Sequence, residues 1–262
     1  MPLINPNDIH SAADTWSGFI YQGKIALYHV LTLMLNEANV DDLELQLDSL
    51  EDFAIVRNDG TNISPVSLHQ VKAMKSHRYS SYQEAFNKLE KRKLEFPCER
   101  DAFFHLAINN ERTKVAIEAT HPALVIYEYD GDPFCRIEDL QNKLDSKVQA
   151  CLLKFGLTAE SGNADYVSMI SEVLEEIITS QIIAVHAANH IKNGLTISEG
   201  AYYFTIPLNN FIAELTADVN ARIFDKNYYR RVLRNDLNLY FQEYCMDIES
   251  EVDEVVKTKL SS

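Results

Sequence analysis

Apolar residues recur at steps of three and four between Trp16 and about Asn36, where Phe19, Ile20, Leu27, Val30, Leu31, Met34 and Leu35 line up. That period predicts an α-helix. Asp14-Thr15-Trp16-Ser17 supplies N-cap chemistry ahead of it, and Gly18 and Gly23 would let a neighbouring backbone approach closely. The period then changes. Leu43 to Leu47 alternates apolar and polar, as a half-buried strand does. Glu51 to Arg57 reads as a second strand, closed by the turn signal Asn58-Asp59-Gly60, and Val66 to Ala73 as a third. The expectation is one helix followed by a three-stranded antiparallel meander. Tyr82 to Leu94 returns to helical spacing, with Glu84 and Lys88 placed as an i,i+4 pair. Pro97 ends that helix, and Ala102 to Ile108 is a fourth strand. Thr113 to Ala119 and Ala123 to Tyr129 are read as further strands.

The pattern therefore predicts an α/β domain over residues 1–120, with a boundary near Thr120-His121-Pro122, and a mostly helical domain over residues 121–262. Ile137 to Phe155 is a helix stopped by Gly156 as the C′ glycine. Ala164 to Asn189 is a long helix that His190 to Gly194 closes. Ala201 to Ile206 is a short aromatic strand, and Leu208 to Asn220 and Asn227 to about Leu260 are helices. The last turns acidic from Asp236 onward.

Composition narrows the class. Gly (8) and Pro (7) are too sparse for a collagen-like or largely disordered chain. No apolar run reaches the roughly eighteen residues that a membrane span needs. Met1 to Pro6 lacks the charge and apolar core of a secretory signal, so a cytoplasmic protein without membrane attachment is expected. Cys98, Cys135, Cys151 and Cys245 contain no C-x-x-C pair, so they read as reduced, buried small hydrophobes and not as a zinc site.

The net charge of −15 argues against a chain that coats nucleic acid non-specifically, because phosphate neutralisation needs Lys and Arg. The distribution is uneven, however. Between Glu37 and Gly60 there are eight acids and one base, Arg57. Between His69 and Arg100 the bases Lys72, Lys75, Arg78, Lys88, Lys91, Arg92, Lys93 and Arg100 face only Glu84, Glu90, Glu95 and Glu99. An acidic cluster that could hold a cation adjoins a basic segment that could hold a phosphate backbone. Lys75, Arg78, Lys88, Lys91, Arg92 and Lys93 are the candidate DNA contacts, with a solvated helix face as the competing reading.

The candidate chemistry lies on two strands. Gln70 and Lys72, two residues apart, point to one face, as does Leu68. A Lys on a buried strand needs a carboxylate or phosphate partner, and Asp52, leading the apolar run Phe53-Ala54-Ile55-Val56, has the converse need. If the strands are neighbours, Asp52 and Lys72 can meet across the ladder. One reading is an ordinary cross-strand salt bridge. The other is a hydrolytic site. Asp52 would bind Mg²⁺ (or Mn²⁺), Asp48 or Glu51 would be a second carboxylate, and the Gln70 side-chain oxygen and Val71 carbonyl would add oxygen donors. Lys72 would orient or deprotonate the attacking water and stabilise the charged transition state.

The order Gly18-Phe19-Ile20-Tyr21-Gln22, then Asp48-x-x-Glu51-Asp52, then Gln70-Val71-Lys72 resembles the double-strand DNA endonuclease domain of bacterial anti-phage effectors, a branch of the PD-(D/E)xK nucleases. That domain occurs in CBASS effectors and in the nuclease subunit of Lamassu-type ABC three-component systems. The resemblance covers roughly residues 14–110. Tyr127-Glu128-Tyr129, Cys135 and the helix after them are similar to the C-terminal segment of those subunits. It implies an α/β fold with a PD-(D/E)xK restriction-endonuclease-like core, followed by a mainly helical C-terminal region. It further implies Mg²⁺-dependent endonuclease activity on double-stranded DNA in anti-phage or anti-plasmid defence. On that pattern Asp52 is the metal-binding aspartate, Gln70 and Lys72 the Q-x-K pair, and Gln22 the helix glutamine near the site. The family carries Glu in place of Asp48, which leaves the second carboxylate open between Asp48 and Glu51. The implied partners are an SMC-like ATPase and a small accessory subunit, with homo-oligomerisation on activation possible. The alternatives are a non-catalytic interaction subunit with a degenerate nuclease fold, or the same core serving a helicase-coupled system.

Other features carry less. His186 and His190 have metal-compatible i,i+4 spacing but lack the Glu of a zincin, and read as core or cap histidines. There is no Gly-x-x-x-x-Gly-Lys-Ser/Thr loop and no Gly-x-Ser-x-Gly elbow. Tyr228-Tyr229-Arg230-Arg231 reads equally as a strand-binding patch or a wet helix face.

Overall fold

The computed structural model describes residues 13–59, 62–190 and 201–217. The chain divides into two compact units, Met1–Thr216 and Ala217–Ser262, and all of the described elements belong to the first. The helix expected from Asn227, Tyr228 to Arg231 and Cys245 lie outside the described residues, as do the side chains of His186 and His190. Among the described residues no helix is long and apolar enough to cross a membrane.

Helix α1 (Ala13–Asn36) leads into a meander of β1 (Leu43–Leu47), β2 (Phe53–Asn58) and β3 (Ile63–Lys72). A 3₁₀ turn (Tyr79–Ser81) and α2 (Gln83–Glu95) connect to β4 (Ala102–Leu106), and α3 (Lys114–Thr120) connects to β5 (Leu124–Ile126). Helices α4 (Ile137–Lys154), α5 (Thr158–Ser161) and α6 (Ala164–His190) follow, then β6 (Thr205–Pro207) and α7 (Leu208–Thr216). The fold is mixed α/β. Its six-stranded sheet has the order β5-β4-β3-β2-β1-β6. The pairs β1–β2, β2–β3 and β1–β6 are antiparallel, whereas β3–β4 and β4–β5 are parallel.

Central position explains β3. Residues 66–71 are buried without a break, as expected of a strand covered on both faces. Pro65 has no N–H to give to the ladder. The register with β2 shifts there, from Ile55↔Ser67 to Val56↔Pro65, so that Val66 is the extra residue of a bulge. One face carries α2, the 3₁₀ turn and α3. There Tyr82, Phe86 and Leu89 pack with Ala54, Leu68, Phe104 and Ile126 in one buried cluster. The other face carries α1, along which α4 and α6 pack.

Several boundaries differ from the sequence pattern, each for a local reason. Thr113 to Ala119 is helical, not extended. The Thr113 hydroxyl caps α3 by accepting the Ala116 N–H at 3.3 Å, which outweighs the strand preference of Thr113 and Val115. Lys114 and Glu118 then satisfy the edge strand β5: Lys114 donates to Ile126 O at 3.0 Å, and Ile126 N donates to Glu118 at 2.9 Å. The strand stops at Ile126 because the chain turns at Tyr129–Asp132, where Asp130 and Gly131 both have positive φ (55° and 99°). Ala201 to Tyr203 is helical, and only Thr205–Pro207 pairs with β1. Gly156 has φ 83° and closes α4: its N–H donates to Leu153 O at 3.1 Å, and that of Leu157 to Leu152 O at 2.9 Å. Gly23 faces a side chain of α6, Ile178, at 3.4 Å and not a backbone, while a Cβ on Gly18 would meet nothing among the described residues.

Candidate functional site

The β2–β3 ladder ends at Phe53↔His69. Beyond that rung the N–H of Val71 has no backbone partner on β2, and the Asp52 side chain takes it. Val71 N–H donates to Asp52 Oδ2 at 2.6 Å, and the Gln70 amide Nε2 donates to the same oxygen. Gln70 is fully buried between its strand neighbours, and its other amide atom, Oε1, has no hydrogen-bond partner among the described residues. Such an orphaned buried acceptor is costly unless a further ligand completes it. Lys72, the last residue of β3, is half-buried, on the same face as Gln70 and level with Leu106 at the end of β4. The expected Asp52–Lys72 pair is not formed: Gln70 and Val71 reach the carboxylate first, and Lys72 has no ion pair among the described residues. Asp52, Gln70 and Lys72 thus gather at the carboxyl ends of the parallel strands β3 and β4, where open α/β sheets form ligand crevices.

The two contenders for a second carboxylate separate cleanly. Asp48 is exposed and left-handed (φ 51°), and its N–H donates to Asp52 O at 3.0 Å to close the β1–β2 turn. Glu51 is only 5% exposed, next to Asp52, with Lys88 Nζ 3.3 Å from its Oε1. Burial pushes the Glu51 carboxyl above its ordinary value. Lys88 opposes that shift and the neighbouring Asp52 reinforces it. Gln22 is half-buried, and its side chain makes no hydrogen bond among the described residues. Its neighbour Tyr21 donates to Cys135 O at 2.6 Å and reaches Leu106 O at 3.5 Å, so this turn of α1 lies at the same end of the sheet as Lys72.

Most candidate DNA contacts already have acidic partners. Lys88 pairs with Glu51, Lys91 and Arg92 with Glu95 at 3.6 and 3.0 Å, and Lys93 with Asp101 at 3.8 Å. Lys75 and Arg78 are exposed on the segment that leaves β3. The net positive field over α2 is correspondingly smaller than its sequence implies.

The far face of β3 holds a buried polar chain that sequence reasoning missed. Ser67 Oγ lies 2.8 Å from His69 Nε2, His69 Nδ1 lies 3.0 Å from His105 Nε2, and His105 Nδ1 lies 2.7 Å from the Tyr129 hydroxyl. The His29 ring of α1 lies 4.2 Å from the His69 ring, tilted by 52°, and His29 bonds the Tyr127 hydroxyl at 3.1 Å. Burial lowers all three histidines. His29 falls to about 3, with Arg100 adding to the effect, and His69 and His105 lie well below the usual value. The signal for them was faint: single histidines among core positions of strands far apart in sequence.

The donors at the carboxyl end of β3 suit a hard cation. Asp52 Oδ1 takes no hydrogen bond among the described residues, Gln70 Oε1 is orphaned, and the buried Glu51 carboxylate is adjacent. Among the described residues no group of three or more His, Cys, Asp or Glu side chains forms a metal cluster, so an amide or backbone oxygen would have to complete the shell.

Comparison with known proteins gives one match. Residues 124–262 fit the family model of C-terminal domain 1 of the ABC-three component (ABC-3C) systems. No curated protein and no solved structure matches the chain. The family segment begins at β5, the sheet's edge strand, and contributes β6 at the opposite edge. The match spans more than half of the sequence, and the chain belongs to the ABC-3C C-terminal domain 1 family.

Proposed function

We propose that this chain is the metal-dependent endonuclease subunit of an ABC-3C anti-phage or anti-plasmid defence system, hydrolysing phosphodiester bonds of double-stranded DNA. The observation that carries the reading is the grip of Gln70 and Val71 N–H on Asp52, with Gln70 Oε1 buried and unpartnered and Lys72 on the same strand face. The element order of helix, antiparallel meander, helix and parallel strand supports a PD-(D/E)xK-like core.

Asp52 Oδ1, Gln70 Oε1 and the Glu51 carboxylate would hold Mg²⁺ or Mn²⁺. When bound, the cation would supply Lewis-acid polarisation of the phosphate and a more acidic water. The Gln70 amide and Val71 N–H fix the Asp52 carboxylate, so that its other oxygen is presented without reorganisation. Lys72 would orient the attacking water and stabilise the negative charge on the oxygens of the five-coordinate phosphorus. The water oxygen bonds to phosphorus as it gives up a proton to solvent, one P–O ester bond breaks, and the leaving oxygen takes up a proton from solvent, so a phosphate end and a hydroxyl end result. Lys75 and Arg78, exposed where the chain leaves β3, would contact the DNA backbone. The acidic net charge and the paired bases of α2 give weak DNA affinity to the isolated chain, so assembly with an SMC-like ATPase and a small accessory subunit, or with further copies, would complete the basic track.

One observation favours a second reading, a non-catalytic subunit: Asp52 caps the β3 ladder and so has a structural task without chemistry. Plasmid cleavage with Mg²⁺ by the assembled complex, and phage protection in cells, separate the two. Loss of both with folded Lys72→Ala and Asp52→Asn supports the nuclease, whereas unchanged protection with both variants sinks it.

A further inference from the structure

Lys88 departs from its helical rule. Glu84 stands four residues before it on α2, the ordinary partner for such a lysine, and is exposed with no ion pair among the described residues. Lys88 instead reaches Glu51, whose side chain is 3% exposed, with Nζ 3.3 Å from Oε1. The physical reason is the difference in solvation. A surface carboxylate is hydrated without help, whereas a buried one needs a counter-charge. The contact is nonetheless loose. Glu51 Oε1 has no hydrogen bond in good geometry, and the lysine side chain is about half exposed, so it can leave without unfolding anything. Glu51 adjoins Asp52, whose carboxylate is fixed by Gln70, and Gln70 Oε1 is the buried acceptor without a partner.

We propose that Lys88 is a built-in competitor of the divalent cation: its ammonium group occupies Glu51 in the cation-free protein, and cation binding displaces it onto Glu84. This rests on the metal-site reading above and adds a restraint to it. The protein holds its second carboxylate neutralised until a cation of higher charge arrives. The displaced lysine then stands on the α2 face beside the site, where it can meet a DNA phosphate. A like charge removed from a cation site raises affinity, and where one bound group opposes another the coupling is commonly about fivefold or more.

The test is Mn²⁺ binding to the full chain, read from the loss of the free-ion electron paramagnetic resonance signal, with thermal melts to establish folding. Lys88→Gln should tighten Mn²⁺ binding by at least about fivefold, and Glu84→Gln, which removes the alternative berth, should weaken it. The double variant Glu51→Gln/Lys88→Gln should lose the gain. Should Lys88→Gln fold poorly, Lys88→Met, which keeps the aliphatic stem and removes the charge, should show the same gain, and unchanged binding by folded Lys88→Met overturns the competitor. Equal or weaker binding by folded Lys88→Gln, while Asp52→Asn abolishes binding, overturns the competitor and leaves the metal site standing. Binding that Asp52→Asn does not change, or no binding by either protein, overturns the metal site and the competitor together.

Discussion

Acidification from pH 7 to pH 5 should destabilise this fold through three side chains on one face of β3. His29, His69 and His105 are held neutral by burial, with values far below the ordinary 6.5. The geometry reinforces this: protonating both His69 and His105 would set two N–H donors against each other across their 3.0 Å contact. Their folded values are depressed, so the stability they contribute is complete above 6.5 and is lost as the pH falls towards the folded values. At pH 5 each histidine of the unfolded chain is almost fully protonated, whereas folded His29, lowered to about 3, is not. For His29 the difference between pH 7 and pH 5 is about 2 kcal/mol, and His69 and His105 add to it in the same direction. Glu51 and Glu175, both raised by burial, return part of this by accepting protons earlier in the folded state. A net loss of about 2 kcal/mol or more against a typical total of about 5–15 kcal/mol would be large. Urea unfolding at the two pH values measures it, and His29→Gln should shrink the pH-dependent part by about 2 kcal/mol. A loss under about 1 kcal/mol, or imidazole proton resonances of these three residues titrating near 6.5, would refute the reasoning.

Three further perturbations test the scaffold. Lys154 donates to Met34 O, Leu35 O and Glu37 O at 2.7, 3.1 and 3.1 Å, closing the C-terminus of α1, so Lys154→Met should cost about 1 kcal/mol in chemical denaturation. Gly156→Ala places a Cβ at φ 83° and should cost about 1 kcal/mol by the same assay. Phe86 is fully buried against Phe104, with ring centroids 4.4 Å apart, so Phe86→Ala should lower stability by about 3–5 kcal/mol, with any loss of Mn²⁺ binding following the loss of fold.

The strand geometry was legible because it depends on a period of two: Gln70 and Lys72 share a face whatever the rest of the chain does. Asp52 stood out for the same local reason, a charge at the head of an apolar run. Its partner did not. That was set by where β2 begins, and the Asp48–Asp52 turn delays β2 to Phe53, leaving the Val71 N–H for the carboxylate. Lys88 was misassigned to Glu84 because helical spacing says nothing about a buried acid on another element. Helix α3 was hidden by β-branched residues whose preference a single Thr113 cap overcame. The histidine chain needed the β3–β4 register, which brings His69 and His105 together from 36 residues apart.

The central claim is that Asp52 and Gln70 hold a divalent cation at the carboxyl end of β3. Anomalous diffraction from crystals of the chain grown with Mn²⁺ tests it most directly. The account predicts a peak about 2.2 Å from both Asp52 Oδ1 and Gln70 Oε1, with Lys88 moved off Glu51. A peak elsewhere, or none at Asp52 with Mn²⁺ well above its measured dissociation constant, would contradict it.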